Sequence, residues 1–200
     1  RLLGAMLYAD DRVRGSSSVA GGSGDSNQPE RGLSDYGRRL VQEMNALGML
    51  IDISHGTDRL ILETIALSDA PVINSHTGVY ATCPNPRNLN DEMIRAVAAR
   101  GGVIGIGFSP GLVCSGDLRG VIRAISHVRD IAGVDYVGLG STLDSGSPVP
   151  ISASEFAKLT ALLKQAGYSD AEIRKIMGEN FLRVLQEVLP LNSTQQEPKI

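Results

Sequence analysis

No stretch of the chain is apolar for the ~18–20 residues that a membrane-spanning helix needs, so no transmembrane segment is expected. No cluster of basic residues is present either. The 19 Lys and Arg are scattered and the net charge is −3, which gives no electrostatic footprint for a nucleic-acid partner. No Gly-x-Gly-x-x-Gly opens a helix after the first strand-like run, which removes the usual dinucleotide fingerprint. The start, Arg1-Leu2-Leu3-Gly4, has no signal-peptide pattern and reads as a cut inside a longer chain. Cysteine is scarce. Cys83 and Cys114 each follow a strand-like run, and the count alone leaves open a bond or two free thiols.

What is present is a globular chain. Its 200 residues, 42% hydrophobic and 20% charged, suffice for one domain with a real core. Five apolar runs read as strands: Leu2–Tyr8, Met49–Ser54, Pro71–Ser75, Val103–Phe108 and Tyr136–Ser141. The last two, containing VIGIGF and YVGLGS, are apolar throughout, as in a parallel sheet covered on both faces. Helical patterns alternate with them. One begins at the N-cap candidate Ser34, places Leu40, Val41, Met44 and Leu47 on one face and stops at Gly48. Others cover Thr57–Ala66, the segment from Asn90 to Arg100, Leu118–Ala132, Ser154–Ala166, Ala171–Met177 and Asn180–Val188. Residues 14–32 are Gly/Ser-rich and read as a mobile loop, and residues 190–200 as a polar tail behind a domain over 1–189. This alternation predicts an α/β fold. It is either an open doubly wound sheet or the later units of a TIM-type (β/α)8 barrel.

The stretch from Ile51 to Asn88 organises the rest. Two successive strand-like runs each end in Ser-His, at His55 and His76, with one helical pattern between them. Histidines at the same end of neighbouring parallel strands point into one space. Imidazole is a common ligand of zinc and similar metals. The pair therefore reads as part of a metal centre or, alternatively, as two helix-capping or polar core histidines.

By residue 88 the motifs are specific. GLSDYGRRLVQEMNALGMLIDISH, APVINSH, PRNLND, RGGVIGIGF, AGVDYVGLGS and ENFLRVL together resemble the membrane (renal) dipeptidase family of zinc metallopeptidases, over roughly residues 33–188. The resemblance implies a metallo-dependent, hydrolase-like (β/α)8 barrel with two zinc ions, cleaving dipeptides by a metal-activated hydroxide. It implies that His55 and His76 are the histidine ligands of the second zinc. It further implies that Arg87 binds the substrate's terminal carboxylate, a task that suits a guanidinium fork. Tyr8 falls near the place of a family histidine that stabilises the tetrahedral intermediate. Cys83 and Cys114 fall where mammalian members have a disulfide. With the Asn192-Ser193-Thr194 sequon, that favours an extracytoplasmic location.

The departures from the family set the alternative. The His-x-Asp pair of the first strand and the carboxylate that bridges the metals have no counterpart and would lie upstream of Arg1. The family's Gly-x-Gly-Ser-Asp-Phe-Asp-Gly reads GLGSTLDS here, with Thr142 at the position of the acid/base Asp and Asp144 at that of the second Asp. His127 matches a family histidine without assigned chemistry and reads as packing. A dipeptidase-like fold that has lost catalysis and serves as a binding or interaction protein is the competing expectation. Part of a barrel also leaves open sheet edges, which predicts poor solubility or pairing with another chain, such as a second copy.

Overall fold

The computed structural model describes residues 4–6, 32–143, 146 and 148–189, and of residues 4–6 the backbone alone. The expectations for Tyr8, Asp144, most of the Gly/Ser-rich segment and the tail from Pro190 lie outside the described residues. The five strands are β1 (Gly4–Met6), β2 (Leu50–Asp52), β3 (Val72–Thr77), β4 (Val103–Ile106) and β5 (Val137–Leu139). They form one sheet in the order β1-β2-β3-β4-β5, with every neighbouring pair parallel.

That order decides between the two architectures left open by the sequence. A doubly wound sheet reverses its strand order part-way, which sends helices to both faces. Here each crossover advances one strand in the same direction. Crossovers of uniform hand then put the connecting helices on one face, as in a barrel wall. β1 and β5 are the edges of this sheet.

The helices are α1 (Asp35–Ala46), α2 (Asp58–Leu67), α3 (Asp91–Ala99), the short α4 (Pro110–Val113), α5 (Leu118–Ala132), α6 (Phe156–Gln165), α7 (Asp170–Arg174) and α8 (Asn180–Val188). The starts of α1, α2 and α3 follow capping residues in the sequence. Ser34, Thr57 and Asn90 accept the backbone N–H of Gly37, Leu60 and Met93 at 3.1, 3.3 and 3.0 Å. Losing such a cap costs about 1 kcal/mol. α4 was not foreseen: it is a single turn inside a loop, with Pro110 at its first position. A π-helical turn, Lys175–Glu179, joins α7 to α8.

The main core lies between the sheet and the outer helices. Ile51, Val72, Ile104, Ile106 and Val137 from the strands meet Val41, Leu60, Ile94, Val121, Ile125 and Leu159. The alternate strand residues Leu50, Ile73 and Val103 turn to the other face, where Val184 and Val188 of α8 cover them. Asn180 holds α8 there, donating from Nδ2 to Val134 O at 2.8 Å and Val137 O at 2.7 Å. Arg183 adds a 2.7 Å bond to Gly101 O. The late ENFLRVL motif is thus the plug of one face of the sheet. Two residues further along each strand, on that same face, come Asp52, Ser75 and Gly105, beneath the candidate site.

Candidate metal and substrate site

His55 and His76 stand just past β2 and at the end of β3. β2 and β3 pair Ile51 with Val72 and Asp52 with Ile73, an offset of 21 residues in both cases (72 − 51, 73 − 52). The two histidines keep that offset, and their Nε2 atoms lie 2.8 Å apart. His55 has φ 66, a left-handed conformation uncommon outside glycine, and such outliers gather at functional sites. The rings meet edge to face with centroids 4.8 Å apart.

The third group is Arg87, whose Nη2 donates to His55 Nε2 at 2.9 Å. The loop between β3 and α3 carries it. Arg87 O accepts from Thr77 Oγ1 at 3.0 Å, and Arg87 N donates to Asn85 Oδ1 at 2.9 Å. The next residue fixes the loop. The Nδ2 of buried Asn88 donates to Cys83 O and Leu112 O, both at 2.8 Å, and its Oδ1 accepts from Gly78 N at 3.0 Å. Cys83 and Cys114 are bonded, with Cα atoms 5.2 Å apart. The loop bearing Arg87 is therefore tied to the loop after β4 by a covalent bond and by Asn88.

Burial, the positive charge of Arg87 and the neighbouring His76 push the His55 pKa down to about 4. Burial lowers that of His76 as well, against the opposing pull of Asp52. Both imidazoles are thus held neutral at neutral pH, the form that ligates metals.

Sequence reasoning missed the residues beneath the pair. Asp52, Ser54, Asn74 and Ser75 form a hydrogen-bonded cluster. Ser54 Oγ donates to Asp52 Oδ1 at 2.7 Å, and Ser75 Oγ lies 2.8 Å from His76 Nδ1. The signal was available: the segments read Asp-x-Ser-His and Asn-Ser-His. The strand glycines have a reason too. A Cβ on Gly105 would sit 2.3 Å from Ser75 O, and one on Gly140 would sit 2.0 Å from the same oxygen. Only glycine lets β4 and the end of β5 press against the backbone beneath His76.

Two other expected positions, Thr142 and His127, lie within the described residues. Thr142 is half-buried with φ 51. His127, expected as plain packing, instead pairs its Nε2 with Asp91 Oδ1 at 2.7 Å and ties α5 to the first turn of α3. Among the described residues no group of three His, Cys, Asp or Glu side chains is arranged to hold a metal ion.

The family profile described as "Membrane dipeptidase (Peptidase family M19)" matches residues 8–199. The chain belongs to this family. The membrane dipeptidase likeness extends to individual proteins. Dipeptidase tcpJ of Claviceps purpurea is 35% identical over 173 residues, covering 82% of this chain and 40% of that relative's length. A metallopeptidase from Rhodobacter sphaeroides, solved with a phosphinate mimic of the dipeptide L-Ala-D-Ala, superposes with a TM-score of 0.75 at 30% identity, over 79% of this chain and 48% of its own. The probable dipeptidase PvdM from Pseudomonas aeruginosa gives a TM-score of 0.76 at 26% identity, over 78% and 55%. The chain spans about half the length of these membrane dipeptidase relatives or less. The match extends the barrel-type reading of the five parallel units to a family of metallopeptidases.

Proposed function

We propose that the chain supplies half of a zinc dipeptidase site. His55 and His76 hold one zinc ion through their Nε2 atoms, and Arg87 binds the terminal carboxylate of a dipeptide. The carrying observation is the convergence of three groups from two successive β/α units: two neutral imidazole nitrogens 2.8 Å apart and a guanidinium 2.9 Å from one of them. The donor set suits zinc, which takes imidazole nitrogen at about 2.0–2.1 Å. It is one ligand short of the three that catalytic zinc sites usually keep. The bound metal would supply Lewis acidity toward the scissile carbonyl and lower the pKa of water. The protein's own part is to hold the two lone pairs on one point, fix the substrate's carboxylate on the rigid Arg87 loop, and keep both histidines uncharged. The dipeptide mimic in the Rhodobacter relative supports dipeptides as the substrate class. The test is release of amino acid from a dipeptide such as alanyl-alanine with added zinc. Loss of that release in His76→Ala supports the reading, and equal release with and without zinc rejects it.

A second reading is a dipeptidase-like binding protein without turnover. The absence of a third metal-binding side chain among the described residues and the Thr at position 142 favour it, because a threonine hydroxyl does not shuttle protons at neutral pH as a carboxylate does. A phosphinate dipeptide mimic that binds while no dipeptide is cleaved would select it.

The Cys83–Cys114 bond supports an oxidising, extracytoplasmic setting. No helix among the described residues is long and apolar enough to cross a membrane. Pairing with a second copy would cover the sides of β1 and β5 that no strand pairs with among the described residues.

A further inference from the structure

Under His76 runs a line of hydroxyl groups that ends on a carboxylate. Asp52 is buried, at 7% exposure. Its Oδ1 accepts from Ser54 N at 3.0 Å and from Ser75 N at 3.1 Å. Two backbone donors aimed at one oxygen make that oxygen an acceptor. The single hydroxyl proton of Ser54 has acceptors at 2.7 Å on Asp52 and at 2.9 Å on Asn74. The shorter contact, to a carboxylate, takes it. Ser54 Oγ then faces Ser75 as an acceptor: Ser75 N donates to it at 2.9 Å, and Ser75 Oγ lies 3.0 Å away. The Ser75 hydroxyl touches His76 Nδ1 at 2.8 Å. It therefore has two settings. It donates to Nδ1, or it donates to Ser54 Oγ and accepts from Nδ1–H.

The two settings correspond to the two neutral tautomers of His76. Without metal, Arg87 can only donate, so His55 Nε2 accepts at 2.9 Å. The His76 Nε2, 2.8 Å from that same atom, then carries its ring proton, and Ser75 donates to Nδ1. A metal ion needs the Nε2 lone pair, so the ring proton must sit on Nδ1 instead. The ring's proton count does not change: the Nε2 proton leaves to solvent as the metal takes the lone pair, and Nδ1 takes one proton up from solvent. The Ser75 hydroxyl turns over and donates toward Ser54, whose own hydroxyl proton is already donated to Asp52.

We propose that Asp52, acting through Ser54 and Ser75, is the positioning group for His76, and that the Ser75 hydroxyl is the rotor that lets His76 change tautomer when it takes a divalent metal. The inference rests on His76 being a metal ligand. It adds residues that no simple ligand motif names. Outer partners of this kind hold a ligand ring in place, and their loss typically costs 10–100-fold in metal affinity.

The experiment uses the whole chain with 15N-labelled histidine. Long-range 1H–15N spectra identify which ring nitrogen of His76 is protonated, without and with zinc chloride. Calorimetric zinc titrations accompany them for the native chain, Ser75→Ala, Ser75→Thr and His76→Ala. The expected result is a proton on Nε2 without zinc and on Nδ1 with zinc, zinc binding about tenfold or more weaker in Ser75→Ala, and recovery in Ser75→Thr. Native-like zinc affinity in Ser75→Ala, with His76→Ala impaired, overturns the relay and leaves the ligand reading standing. Zinc binding unaffected by His76→Ala, or none at all, overturns the ligand reading and the relay with it. A His76 tautomer in the native chain that zinc leaves unchanged also overturns the rotor, whether or not any variant folds.

Discussion

His55 and His76 are 21 residues apart in sequence, and their Nε2 atoms are 2.8 Å apart in space. The β2–β3 register pairs Ile51 with Val72, the same separation. The spacing of the Ser-His pairs along the chain therefore records the register of two parallel strands. In such a sheet, residues at equal offsets face one space at the C-terminal end, where barrel enzymes build their sites.

Arg87 is held by main-chain and loop contacts rather than by the histidines alone. Arg87→Lys keeps a charge but loses the planar fork that matches a carboxylate. Charge-assisted hydrogen bonds are worth about 1.5–3 kcal/mol each. On the proposed reading, dipeptide KM should therefore rise about tenfold or more in Arg87→Gln and by less in Arg87→Lys, with kcat little changed. Steady-state kinetics on a dipeptide and on its C-terminal amide check this. An amide used as well as the free acid by the native protein contradicts the carboxylate role.

The Cys83–Cys114 bond closes a loop with a sequence separation of 31. Chain-entropy arithmetic for a loop of that size gives about 3–4 kcal/mol of stabilisation. Cys114→Ser should lower the urea midpoint accordingly, and faster amide exchange should be confined at first to residues 78–89 and 109–116. Uniform loss of protection across the sheet would show that the bond acts on the whole fold rather than on the Arg87 loop.

Thr142 combines a β-branched side chain with φ 51. That conformation is unfavourable for such a residue and is several-fold commoner for Asn and Asp. Relief of strain of this kind is worth about 1 kcal/mol or more. Thr142→Asn should therefore raise stability by about that amount in denaturant melts. Thr142→Asp should do so too; on the proposed dipeptidase reading it also puts a carboxylate at the position expected for the acid/base, so dipeptide turnover should rise in Thr142→Asp alone. Equal or lower stability in both variants contradicts the strain argument.

Glu63 holds the approach to α1. Its carboxylate accepts from Leu33 N at 2.8 Å, Arg38 Nη2 at 3.0 Å and Arg59 Nε at 2.8 Å. The Arg59 hydrogen bond, with smaller contributions from Leu33 and Arg38, holds its pKa below the ordinary glutamate value. A carboxylate with a depressed folded pKa stabilises the fold above its unfolded value, about 4.3, and loses that contribution as pH falls through the folded value. Stability should drop below about pH 4.3, and Glu63→Gln should flatten that acid limb. Melts at pH 7 and pH 3.5 measure the difference. An unchanged acid limb in Glu63→Gln removes Glu63 from the account.

Much of this was legible in the sequence, for identifiable reasons. Strands and helices alternated cleanly. Ser34 and Asn90 marked helix starts because a short polar side chain that accepts the N–H three residues ahead is a local feature; Thr57, read as the first residue of a helical pattern, caps α2 in the same way. The choice between a doubly wound sheet and a barrel-type sheet was not local. It depends on strand order, which the pattern of Val103–Phe108 or Tyr136–Ser141 does not encode. The histidines stood out because imidazole is rare in this chain, with 3 residues in all. Asp52, Ser54 and Ser75 did not, because such residues are common and their meaning appears only when β2 and β3 pair. Gly105 and Gly140 entered the reading only as parts of the strand-like runs VIGIGF and YVGLGS and of the family motifs that contain them, yet they are the surfaces that press on Ser75 O. His127 looked like packing because Asp91, its partner, lies on another helix.

Zinc affinity of the purified chain, measured by calorimetry for the native protein, His55→Ala and His76→Ala, tests the central claim most directly. One zinc bound per chain, weakened at least tenfold in each variant, is the result this account predicts. Zinc binding that is absent, or that survives the loss of both histidines, would contradict it.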